Sequence, residues 1–144
     1  MNYKKIFCIV LIAVLAVIVI GTVQAADSGA TKTKIRGIDF NIPAGYTEGS
    51  NSDRDNTSSS GVISDMILYK NKTGDIFIIT VMEFDHNVSP SLIEDDGNPV
   101  TIKNVDGRLE NTSDGDVRFN FIKDGKYLIM IRASDKNIIE EILP

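Results

Sequence analysis

The side chains of this sequence that could do chemistry are few and scattered. One imidazole, His86, follows Glu83, Phe84 and Asp85. A histidine oriented by a carboxylate is the acid–base half of a nucleophilic site, and Ser and Thr are plentiful enough to furnish the third member. No Gly-x-Ser-x-Gly elbow accompanies it, so His86 reads as a plain histidine just past a strand. Acids offer a second chemistry. Asp53, Asp55, Glu83, Asp85 and His86, if gathered in one concave pocket, would suit a hydrolase or inhibitor whose site is built from acids and hydroxyls. Oxygen ligands alternate through Asp53, Asp55, Asn56 and Thr57 and recur in Asp95-Asp96-Gly97 and Asp114-Gly115-Asp116, a set that calcium accepts. The first segment lacks the glycine and the closing Glu of an EF-hand loop, so solvated turns are expected and no metal is assigned. No phosphate-cradling glycine loop is present. The sequence therefore assigns no catalytic residue, no metal ligand and no cofactor, and the balance leans away from an enzyme.

One surface motif recurs. Asn56-Thr57-Ser58, Asn71-Lys72-Thr73, Asn87-Val88-Ser89 and Asn111-Thr112-Ser113 are acceptor sequons for N-glycosylation, each in a stretch with turn or loop composition. With 11 Asn and 20 Ser and Thr in 144 residues, chance supplies about 1.5 such triplets, so four is a modest excess. Pro90 follows the third and weakens it.

These residues must be positioned by elements that the hydrophobic pattern outlines. Ile38, Phe40 and Ile42 alternate within residues 35–42, a half-buried strand that Pro43-Ala44-Gly45 ends. Residues 46–61 have almost nothing to bury and read as a long surface loop. Residues 62–70 and 75–85 read as a hairpin around Asn71-Lys72-Thr73-Gly74, and the second arm is apolar on both faces, which marks it for the middle of a sheet. Residues 91–95 suit one helical turn. Residues 100–103 and 107–110 are short strands about a turn. Asp124-Gly125 signals a two-residue hairpin that sets Phe121 opposite Leu128 and Phe119 opposite Met130. Ser134 or Asp135 caps a last helix with Ile138, Ile139, Ile142 and Leu143 on one stripe. The fold class expected is α+β: a mainly antiparallel β-sheet with a short C-terminal helix covering one face, preceded by an N-terminal hydrophobic export helix.

That export segment divides the chain. Lys4 and Lys5 precede an unbroken apolar run over residues 6–20, and Val23-Gln24-Ala25 suits a signal peptidase, so residues 1–25 are expected to be cleaved. The alternative is an uncleaved anchor spanning the membrane through residues 6–23. Both place the remainder outside the cell. Residues 26–33 read as a linker and residues 34–144 as one domain. Cleavage removes Cys8, the only thiol, and takes the net charge from -5 to -7, leaving 119 residues that must fold without disulfides. The acidic balance, with Arg54, Arg108, Arg118 and Arg132 dispersed, excludes nucleic acid as a partner and favours a soluble monomer.

The order of signals in Gly37-Ile38-Asp39-Phe40-Asn41-Ile42-Pro43-Ala44-Gly45-Tyr46, Val100-Thr101-Ile102, Phe119-Asn120-Phe121 and Asp124-Gly125-Lys126-Tyr127, closed by an Ile-rich helix, resembles small secreted proteins of methanogenic archaea. It is also faintly similar to PsbP/Mog1-like domains, which implies a central antiparallel sheet with flanking helices. The likeness covers residues 35–143 and carries no catalytic signature. The expected role is thus a secreted or cell-surface, non-enzymatic domain that binds an extracellular protein, glycan or envelope partner, with the extracellular hydrolase or inhibitor as the alternative.

Overall fold

The computed structural model describes residues 29–58 and 60–144. The expected export segment, with Cys8, and the start of the linker lie outside the described residues. Within them the chain forms β1 (Thr31–Ile35), β2 (Ile38–Ile42), β3 (Thr47–Glu48), β4 (Asp53–Thr57), β5 (Ile63–Lys70), β6 (Ile76–Glu83), a 3-10 turn (Pro90–Ile93), β7 (Asn98–Ile102), β8 (Val105–Asn111), β9 (Val117–Lys123), β10 (Tyr127–Ala133) and α1 (Lys136–Ile142). The main sheet runs β3-β5-β6-β10-β9-β8-β7, with β4 also paired to β5, and β1 and β2 form a separate hairpin. All pairing is antiparallel.

The period-two alternation builds one solid face. Ile67, Ile79, Ile131 and Phe119 stand in a row across β5, β6, β10 and β9, and Val81, Ile129 and Phe121 stand in the next. Each of these is buried. The hairpin covers them with Ile35, Ile38, Phe40 and Ile42, and α1 adds Ile139, Ile142 and the following Leu143. Burying one such side chain is worth about 1.5–3 kcal/mol, so this layer dominates stability. Asp135 caps α1, its Oδ1 accepting from the Asn137 and Ile138 amides at 2.7 and 3.3 Å.

Four expectations change. The Asp124-Gly125 turn has positive φ at both residues, as a tight hairpin turn requires, yet Lys126 is an extra residue and Lys123 pairs with Tyr127. The slip moves Phe121 opposite Ile129 and Phe119 opposite Ile131 rather than Leu128 and Met130. The expected single strand at 35–42 is a hairpin: Arg36 and Gly37, at φ 49° and 80°, turn the chain, and β1 begins inside the stretch read as a linker. The expected loop at 46–61 contains β3 and β4, which pair with β5 through their backbones while their side chains stay exposed. β6 is an interior strand, but β10 occupies the middle of the sheet.

The sheet also splits. β8 pairs with β9 from Asn111↔Val117 only as far as Arg108↔Asn120, while β7 and β8 continue together to Ile102↔Val105. Gly107 sits at the fork, where a Cβ would come within 2.5 Å of the Asn120 carbonyl oxygen and 2.6 Å of the Phe119 ring. Beyond it the tip of the β7–β8 hairpin curls over the core, where Ile102 is buried and Lys103 Nζ donates to the Leu143 carbonyl at 3.0 Å.

Candidate functional site

The acids singled out by sequence do not gather in one pocket. Two of them, Asp55 and Glu83, meet Asp65 around a residue the sequence did not single out. Arg36 holds φ 49° in its turn and sends a side chain that is only 13% exposed against the edge of the sheet. Its Nε donates to Glu83 Oε2 at 2.8 Å, and its Nη1 donates to Asp55 Oδ1 at 3.0 Å and Asp65 Oδ1 at 3.3 Å. Asp65 Oδ1 also accepts the Asp55 backbone N–H at 2.7 Å, and Glu83 Oε1 takes Lys126 Nζ at 2.6 Å. A left-handed arginine costs about 1–2 kcal/mol in backbone energy, and the three carboxylates offset it. The partners lie 19, 29 and 47 residues away in sequence, so no local pattern announces them.

The electrostatics follow from this geometry. The Lys126 ammonium, and then Arg36, hold the Glu83 carboxyl below its usual range. Burial works against the Arg36 charge, but Glu83 and Asp55 outweigh it and raise its pKa. A carboxylate held this way carries no proton to give near neutrality, which removes Glu83 as a general acid. The cluster pins β4, β5, β6 and the hairpin together.

Of the other acids singled out, Asp95 is exposed and the rest are engaged. Asp85 Oδ1 lies 2.6 Å from His86 Nδ1 on an exposed turn, and the imidazole draws the Asp85 carboxyl down. Asp53 accepts from Asn56 Nδ2 at 3.0 Å. Asp96 accepts from the buried Asn120 at 2.9 Å, and Asp114 and Asp116 both face Arg132. Among the described residues no group of three or more His, Cys, Asp or Glu side chains is placed to hold a metal.

Of the four sequon asparagines, Asn56, Asn87 and Asn111 are exposed. Asn71 differs. It is half-buried in the β5–β6 turn, its Oδ1 accepting from the Thr73 amide and hydroxyl at 3.0 and 2.7 Å while its Nδ2 donates to Asp75 at 2.8 Å.

Two surfaces remain open. On the sheet face away from the core, residues 84–97 cross β9 and tie down through Asp96 and through Gly97, whose carbonyl accepts from Arg108 Nη1 at 3.4 Å. They leave uncovered a patch of Met66 and Ile76, each 41% exposed, with half-buried Leu68, Ile78, Met82 and Met130 beside them. The second surface is a groove of about 500 Å3 at the split in the sheet, walled by residues 37–40, 104–106 and 121–124 with Leu143 and Pro144. Only side-chain alternation on β5, β6 and β10 could have pointed to the first. Nothing local points to the second.

No family model, curated protein or solved structure matches the chain.

Proposed function

We propose that this protein is a secreted or cell-surface binding domain that engages an extracellular protein, glycan or envelope partner without doing catalysis. The observation that carries the reading is the patch of Met66, Leu68, Ile76, Ile78, Met82 and Met130, exposed or half-buried on a sheet face whose other half is covered. Contiguous apolar surface beside a polar rim is what a protein interface needs, and methionine side chains adapt to varied partners. The ion-paired acids support the same reading, because Asp55 and Glu83 are committed to Arg36. Export by residues 1–25, or anchoring through residues 6–23, would put this face outside the membrane, where the exposed Asn56, Asn87 and Asn111 are available as glycan acceptors and Asn71 is tied into its turn. The resemblance to small secreted archaeal proteins agrees with that location.

The test is capture of solubilised envelope material by the full chain and by its Met66→Lys/Ile78→Lys double variant. The proposal expects a discrete partner retained by the wild type and lost by the variant, with the two sharing one far-ultraviolet dichroism spectrum. Equal retention by both overturns the assignment of the face. Turnover of a hydrolase substrate that disappears on Asp85→Asn overturns the non-enzymatic reading.

A further inference from the structure

The groove at the split has a property that its side chains do not reveal. Lys103 and Asn104, at φ 46° and 64°, make a two-residue turn, so Ile102 and Val105 exchange backbone bonds and the odd-numbered residues of β8 bond to β7. The even-numbered ones therefore face β9, and the Thr112 amide bond to the Asp116 carbonyl at 2.8 Å continues that series. The ladder stops at Arg108↔Asn120. The next even residue, Asp106, and its opposite, Ile122, thus turn N–H and C=O groups into the groove with no strand partner among the described residues. By the same parity β2 presents Asp39, because Ile35 and Ile38 close the Arg36-Gly37 turn. Three strand edges converge on one apolar floor, formed by Phe40 and Phe121. Backbone groups lining a low-dielectric groove want hydrogen-bond partners, and an extended peptide supplies donors and acceptors at the matching spacing.

We propose that this groove accepts an extended segment of a partner protein by strand addition, between β8 and β9, independently of the open sheet face. The unpaired stretch of three residues on each lip matches about three residues of extended chain, roughly 10 Å, so a pentapeptide fills it with one residue over at each end. Charge sets the occupant's chemistry. Asp39 is held by Lys34 at 2.7 Å and Asp124 lies 3.8 Å from Lys123, whereas Asp106 accepts from Thr101 Oγ1 at 2.6 Å and meets no cation among the described residues. The segment that fits alternates apolar residues, directed at Phe40 and Phe121, with a lysine or arginine beside Asp106.

The probe is the pentapeptide acetyl-Val-Lys-Val-Lys-Val-amide, titrated into isotope-labelled full-length protein in nanodiscs and followed by amide shifts. Saturable shifts at Asp106, Ile122 and Asp39 with a Kd of about 1 mM or tighter are expected. A twin peptide N-methylated at alternate residues should bind about tenfold more weakly, because it keeps its side chains and loses the ladder donors. Asp106→Asn should weaken the lysine peptide several-fold while leaving acetyl-Val-Gln-Val-Gln-Val-amide unchanged. Equal binding of the N-methylated twin, shifts confined to Met66, Ile78 and Met130, or no shift at about 10 mM peptide overturns the proposal.

Discussion

The tip of the β1–β2 hairpin meets the sheet on two sides, and the two sides are built differently. On one, Arg36 reaches three carboxylates from β4, β5 and β6, so the seam is closed by charge, with Arg36 and Asp65 largely shielded and Asp55 at the solvent edge. On the other, residues 37–40 face the fork of β8 and β9 across a groove whose exposed valences belong to the backbone. One side spends side chains on holding the fold, and the other leaves backbone groups available. Adjacent residues of a single turn can therefore serve stability and recognition separately, and substitutions should sort by side.

The largest effect is expected at Arg36. Arg36→Met leaves the nearly buried Asp65 without its cation and should lower unfolding free energy by about 3 kcal/mol in urea titration. Arg36→Gly removes the same ion pairs but relieves the left-handed backbone, so it should be milder than the Met variant by about 1 kcal/mol. If the two are equal, the turn strain is not part of the balance. Next comes Gly107→Ala, which forces a Cβ against the Asn120 carbonyl and the Phe119 ring and should cost about 1–3 kcal/mol. Its signature is local: amide shifts of β8 and β9 should move while those around Arg36 stay.

Acid should discriminate the sides as well. The Glu83 pKa is depressed in the folded protein, so its contribution is fully present above the ordinary glutamate value of about 4.3 and is lost as pH falls through the lower folded value. The urea midpoint should fall with decreasing pH in that window, and Glu83→Gln should flatten the slope. A variant as steep as the wild type would assign the acid sensitivity to the exposed pairs instead. The smallest effects belong to the sequons. Replacing the exposed Asn111 by Gln should leave the melting temperature unchanged, whereas Asn71→Ala opens the hydrogen-bonded β5–β6 turn and should cost about 1 kcal/mol by thermal unfolding.

The sequence made the long, alternating elements legible and hid the rest for identifiable reasons. β5, β6, β9 and β10 turn an apolar residue to the core at alternate positions and α1 buries one helical stripe, so their composition declares them. β4 buries nothing, and its pairing lives wholly in the backbone, which composition does not record. The β9–β10 register missed by one because Asp124-Gly125 fixes the turn residues but not the extra Lys126 that follows. Arg36 was not singled out because its partners are distant in sequence. The groove was hidden for the deeper reason that it consists of hydrogen bonds that stop, at a glycine whose neighbours only the tertiary structure supplies.

Amide hydrogen exchange along β9 tests the difference between the two sides most directly. The account predicts slow exchange at Phe119 and Phe121, bonded to β10, and at Arg118 and Asn120, bonded to β8, with Ile122 exchanging at least tenfold faster than either neighbouring pair. Ile122 protection equal to that of Asn120 would mean that β8 and β9 stay zipped past Gly107, and the open side of the hairpin would not exist.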